Sequence, residues 1–169
     1  LWLINSTSSN TLLNQSPLAA NSVFNFWRPG YTPPGTTQLG QRNLVSPEFQ
    51  IIDEVTAPSY INLIQSTIQN GIGWTDSACT SCSGPDVKAN YAAELAVADN
   101  AGTLVDRMNK LLFYGQMSST LRDRIIAGVN AVAMPAAGAS QASIDSAKLT
   151  RVRTAIFFSM ISPEYMVQR

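Results

Sequence analysis

"LVDRMNKLLFYGQMSSTLRDRIIAGVNA", residues 104–131, decides the fold class of this chain. Leu104, Met108, Leu111 and Leu112 recur at helical spacing, and Gly115 is a natural stop because it tolerates the left-handed backbone of a helix end. Ser118 or Ser119 then supplies an N-cap oxygen, and Leu121, Ile125, Val129 and Val132 repeat the same spacing. Two amphipathic helices joined by a short turn follow from this pattern. A half-buried strand would need alternation with period two, which neither run shows.

The flanking sequence reads the same way. After Pro135 and "AAGAS" (136–140), a helix over roughly 143–161 would bury Leu149, Val152, Ile156, Phe157 and Met160, and Ser162-Pro163-Glu164 would open a closing turn. Upstream, "VKANYAAELAVADN" (87–100) places Val87, Tyr91, Leu95 and Ala98 at helical spacing, with Asp86 as a candidate cap. Earlier still, Ser46, Pro47 and Glu48 predict a helix from 47: an N-cap, a proline where no N–H is needed, and an acid at the positive end of the dipole. Phe49, Ile52, Val55 and Thr56 would line one face. Pro58 should kink or divide that helix before Ile61, Ile64 and Ile68, and Gly71 and Gly73 should end it. The expectation is an all-α chain: an irregular bundle of five or six helices, a long aromatic and proline-rich N-terminal strap, and negligible strand.

The strap is "SVFNFWRPGYTPPG" (22–35). Pro29, Pro33 and Pro34 fix φ and bias their predecessors toward extended backbone, while Gly30 and Gly35 permit turns. Burying Phe24, Phe26, Trp27 and Tyr31 against helices would contribute about 1.5–3 kcal/mol each, offsetting part of the entropy of ordering a loop without ladder hydrogen bonds. The competing reading is an exposed aromatic platform for a glycan or peptide.

The 169 residues contain no histidine, which removes Ser-His and Cys-His nucleophile pairs, imidazole acid–base catalysis and most transition-metal sites from this chain. Phosphate-cradling and nucleophile-elbow motifs are absent too. Lys plus Arg equals Asp plus Glu at 11 each, so no net positive field attracts nucleic acid, and no apolar run is long enough to span a bilayer. The balance hides a split: residues 1–105 carry three basic and seven acidic side chains, and 106–169 carry eight and four. Those halves would pair within the fold or form solvated helix faces; the alternative is a basic binding face built from Arg122, Arg124, Arg151 and Arg153. Asp53 and Glu54 adjoin and would point about 100° apart on a helix, a poor geometry for shared acid–base work. Asp76 and Asp86 read as turn formers or caps, with calcium binding as the lesser alternative.

Cys79 and Cys82 form one isolated pair in the loop "IGWTDSACTSCSGPD" (72–86). Too few further ligands exist for zinc, and no βαβ context supports a redox helix. A short-loop disulfide in an oxidising compartment is expected, with two reduced thiols, or redox or metal chemistry, as alternatives. The chain opens at Leu1 with no charged-then-apolar leader, and "INSTSSNTLLNQS" (4–16) reads as a solvated connector. Residues 1–20 are thus expected to be a connector or the remnant of a missing N-terminal portion, and 21–169 the helical domain.

Together, "SPLAANSVFNFWRPGYTPPG" (16–35), "LVSPEFQIIDEVTAPSYINLI" (44–64), the opening stretch at 104–131 and "RVRTAIFFSMISPEYMVQR" (151–169) resemble the C-terminal portion of the bacterial DUF1800 family. The cysteine loop lies outside the resemblance. The resemblance implies a helical protein longer than this chain, often exported to the periplasm, cell surface or exterior, with a DUF1501-family protein as a candidate partner. It brings no assigned activity, catalytic residue or cofactor. The functional expectation is therefore a non-enzymatic structural or assembly component that contacts its own N-terminal portion, another chain or copies of itself. The alternatives are a supporting domain of an enzyme whose active site lies in the absent portion, or a glycan- or peptide-binding module using Trp27 and Tyr31 of the strap together with Trp74.

Overall fold

Polar side chains at helix starts set most of the architecture. A computed structural model describes residues 25–34, 38–52, 55–72 and 87–166, with isolated positions 15, 18, 20, 23 and 85. Of the described residues 59% are helical and 2% are in isolated bridges, with no sheet, so the all-α expectation is met. In chain order the helices are α1 (Gln38–Gln41), a 3₁₀ turn (Pro47–Gln50), α2 (Thr56–Asn70), α3 (Ala92–Leu95), α4 (Ala101–Leu112), α5 (Ser119–Ala131), α6 (Gln141–Met160) and α7 (Pro163–Met166). Four of these are long and three are single turns, which is why the count exceeds five or six. The chain divides into two compact units, Leu1–Leu63 with Ile72–Asp86 and Ile64–Gly71 with Val87–Arg169.

The second unit holds the main core. Asn100, Ser118 and Ser140 cap α4, α5 and α6, accepting from the backbone N–H of Thr103 at 3.0 Å, Leu121 at 3.1 Å and Ser143 at 3.3 Å. Ala101, Leu104, Val105 and Met108 of α4, Ile125 and Val129 of α5, and Val152 and Ala155 of α6 form one cluster with Ala98, Phe113 and Met117. Leu104, Met108, Ile125 and Val152 had been expected there. Leu111 is a correction: it is exposed, because α4 ends one residue later and burial passes to Leu112 and Phe113. Phe113 meets Tyr165 of the closing turn edge-on, with ring centroids 6.0 Å apart.

Asn109 organises the turn from α4 to α5. Its carbonyl accepts from the N–H of both Phe113 and Gly115 at 3.0 Å, and its side-chain oxygen accepts from Met117 N–H at 2.9 Å. Gly115 has φ +83, so the glycine read as a helix stop is needed for its backbone. Tyr114 also takes a left-handed φ of 54, with its side chain exposed.

Two expected helices differ. The helix from 47, which Pro58 was expected to kink or divide, is divided, but its first part is only a 3₁₀ turn, and α2 begins at Thr56, two residues before the proline. Pro58 is the reason. In a helix running through from 47 it would lack an i−4 bond and its ring would strike a carbonyl, whereas in the first turn of α2 its missing N–H has no intrahelical partner to lose. Ser46 makes no side-chain capping bond. The helix expected over 87–100 contracts to one turn, since the N–H groups of Val97 and Ala98 reach back only three residues, to Glu94 and Leu95.

Candidate interaction surface

Within the first unit, the described part of the strap is fastened by backbone bonds. Tyr31 N–H donates to the Arg28 carbonyl at 3.0 Å, closing a turn over Pro29 and Gly30. Arg28 N–H donates to Gln50 Oε1 at 2.7 Å, and Ser46 N–H donates to the Tyr31 carbonyl at 2.8 Å. Ser46 is thus buried as a partner of the strap. Pro33 is buried, Phe26 and Tyr31 are half-buried, and Trp27 retains 36% exposure. Phe24 lies outside the described residues, as do Cys79, Cys82, Trp74, Asp53, Glu54, Asp76 and Asp86.

The segment that receives the strap carries apolar side chains that face solvent. Leu44, Val45, Phe49, Ile52 and Val55 each keep between 41% and 59% exposure. Thr56 Oγ1 donates to the Ile51 carbonyl at 2.6 Å, tying the start of α2 to the residue after the 3₁₀ turn. These five side chains, with Trp27, are the candidate interaction residues of the first unit. The periodic pattern had placed Phe49, Ile52 and Val55 on a buried helix face, and only the altered backbone shows them exposed.

Several charged groups of the second unit hold its helices and turns together. Arg122 Nε meets Asp106 Oδ1 at 2.7 Å across α4 and α5, and this hydrogen bond holds the Asp106 carboxyl below its ordinary range despite opposing desolvation. The same bond raises Arg122. Arg151 is buried: Nε donates to the Val132 carbonyl at 3.0 Å, and Nη1 reaches the carbonyls of Asp99 at 3.2 Å and Ala98 at 3.4 Å. It therefore neutralises the negative end of α5 and the turn before α4. Arg153 Nη2 donates to the Gln69 carbonyl at 3.2 Å near the end of α2, where Tyr91 Oη donates to the Ile68 carbonyl at 3.0 Å. Burial pushes the Tyr91 hydroxyl up, with Arg153 acting against this and Glu94 adding to it. Arg124 is exposed. Arg122 and Arg124 are two residues apart on α5, as are Arg151 and Arg153 on α6, so neither pair shares a helix face.

Further ties were not foreseen in the sequence. Glu94 pairs with Arg107 at 2.7 Å and Lys148 with Asp99 at 2.6 Å. Glu164 of α7 grips the start of α5: Ser118 Oγ donates to Oε1 at 2.5 Å and Ser118 N–H to Oε2 at 2.9 Å. Ser-Pro-Glu was read as opening its own turn; its carboxylate also serves the N-terminus of another helix. The signal for Arg151 was its spacing, since Arg151, Ala155 and Ser159 are four apart on one buried face. Among the described residues no three His, Cys, Asp or Glu side chains converge as a metal site, and no helix is long and apolar enough to cross a membrane.

Comparison with family models, with curated proteins and with solved structures finds no match for this chain.

Proposed function

We propose that this chain is a non-enzymatic structural or assembly component of an exported bacterial protein of the DUF1800 type. The observation that carries the reading is the set of exposed apolar side chains at Leu44, Val45, Phe49, Ile52 and Val55, on a stretch whose Gln50 and Ile51 are hydrogen-bonded to the strap and to α2. The ion pairs and carbonyl-bound arginines of α4 to α7 lend it support, because those charged groups brace helices. The partners in view are the protein's own N-terminal portion, a DUF1501-family protein or another chain, and further copies. Sedimentation analysis of the chain and of its full-length parent tests the reading. Stable assembly or association with the N-terminal portion is expected; a parent that stays monomeric, with those side chains still open to solvent, overturns it.

The partial exposure of Trp27 favours a second reading, a binding module for glycans or peptides that uses Trp27 and Tyr31. Tryptophan emission that shifts with a glycan or peptide in the wild type but not in Trp27→Leu supports it. Silence across a broad panel removes it.

A further inference from the structure

Three asparagines of the second unit have their side-chain oxygens fixed by the backbone: Asn90 by Ala92 N–H at 3.0 Å, Asn100 by Thr103 N–H at 3.0 Å and Asn109 by Met117 N–H at 2.9 Å. Asn70, the last residue of α2 and part of the same unit, is held differently. It is exposed, and its amide Nδ2 reaches Ser66 Oγ only at 3.4 Å, a long and therefore weak hydrogen bond. The next residue is Gly71, and Asn70-Gly71 is the only asparagine–glycine pair in the sequence. Gly71 has φ +86 and no Cβ, so no side chain of its own shields its backbone nitrogen from the Asn70 amide.

We propose that Asn70 is a self-modification site, at which the chain converts its own asparagine into aspartate and isoaspartate with water as co-reactant. The Gly71 nitrogen gives its proton to hydroxide and attacks Asn70 Cγ. A C–N bond forms, the Cγ–Nδ2 bond breaks, and Nδ2 takes a proton from water and leaves as ammonia, which yields a cyclic imide. Water then opens the imide at either carbonyl. One cleavage leaves aspartate in an unaltered backbone; the other leaves isoaspartate, with the backbone running through the former side chain. The fold gates the first step, because Gly71 N–H donates to the Thr67 carbonyl at 2.9 Å and is released only when the final turn of α2 frays. A cation already stands where the new charge arises. Arg153 Nη2 donates to the Gln69 carbonyl at 3.2 Å, on the peptide unit that joins Gln69 to Asn70, and Arg153 Nε is buried without a hydrogen-bond partner among the described residues. That guanidinium opposes the cost of a negative charge at a helix C-terminus.

Incubating the full chain in heavy-oxygen water at neutral and mildly alkaline pH, followed by digestion and mass spectrometry, tests the proposal. Asn70 should take up heavy oxygen, aspartate and isoaspartate should appear together, and the rate should climb with pH. Asn62 within α2, Asn100 and Asn109 should lag by about tenfold or more, each being followed by a residue with a side chain and lying where the backbone opens less readily. Urea should speed the reaction at Asn70, and Asn70→Gln should carry no label there. Label spread evenly over the other asparagines, aspartate without isoaspartate, or no label at Asn70 overturns the proposal, and an unchanged rate in urea overturns the gate. Asn70→Asp, which mimics one product, should lower the urea midpoint less in the wild type than in Arg153→Gln. Equal lowering in both backgrounds overturns the part given to Arg153.

Discussion

Arg151 illustrates how one side chain can hold three pieces of backbone. Its guanidinium meets carbonyls at Ala98, Asp99 and Val132, so truncation removes a buried cation and leaves those acceptors to find other partners. Arg151→Ala should cost about 2–5 kcal/mol, by analogy with breaking a buried charged network, and Arg151→Lys should recover little because an ammonium cannot reproduce the planar fork. Urea unfolding midpoints check this; a lysine variant as stable as wild type would show that the fork is not needed. The Arg122–Asp106 bond sits at the opposite extreme, with the Asp106 side chain about half exposed. Because the folded carboxyl lies below its ordinary value, the contribution of the pair is complete above the ordinary carboxylate range and fades as pH falls through the lowered value. Solvent screening keeps the loss small, and Asp106→Asn should flatten that part of the pH–stability curve. An unchanged acid limb in the variant would place the titration elsewhere.

Among elements, the close approach of α5 and α6 depends on Gly128. A Cβ built there would fall 2.5 Å from Phe158 Cε2 and 2.9 Å from Cδ2, closer than carbon atoms can approach. Replacing a helical glycine by alanine normally stabilises by about 1 kcal/mol, but forcing the Phe158 ring aside introduces overpacking of about 1–3 kcal/mol. Gly128→Ala should therefore destabilise the wild type and stabilise a Phe158→Ala background, a reversal that a double-mutant cycle reads directly. Equal effects in both backgrounds would mean that the ring moves away freely. Sequence rhythm captured the two central helices because their stripes, Leu104 with Met108 and Ile125 with Val129, are local facts about spacing. It foresaw that Pro58 would interrupt the helix from 47 but not that the first part would shrink to a 3₁₀ turn, because the cap signal at Ser46 could not reveal that this residue would make no side-chain cap and would give its N–H to Tyr31. The Glu164 grip on Ser118 was hidden for the same reason: its two ends lie 46 residues apart, and no pattern within either stretch announces the other.

At the scale of the molecule, the all-α class could be read from the sequence, but the uneven distribution of packing could not. Leu104, Val105, Ile125, Val129 and Val152 are essentially inaccessible, whereas the Leu44–Val55 segment keeps its apolar side chains in solvent and is tied by a handful of hydrogen bonds. Composition alone treats these residues alike, since both sets draw on Leu, Ile and Val, with Phe49 added in the second; only the path of the backbone separates them. Local stability follows apolar burial, so opening a backbone bond in α4 or α5 should demand loss of the whole cluster, while the 3₁₀ turn can open by itself. Native-state hydrogen exchange should accordingly find the amides of Val105, Met108, Ile125 and Val129 among the slowest and that of Phe49, bonded to the Ser46 carbonyl at 3.1 Å, faster by orders of magnitude. If a bound partner covers the Leu44–Val55 segment, protection should rise there first and leave the central helices unchanged. Slow exchange at Phe49 in the isolated chain would instead mean that this segment is already covered, and the case for it as a free interaction surface would fall with that result.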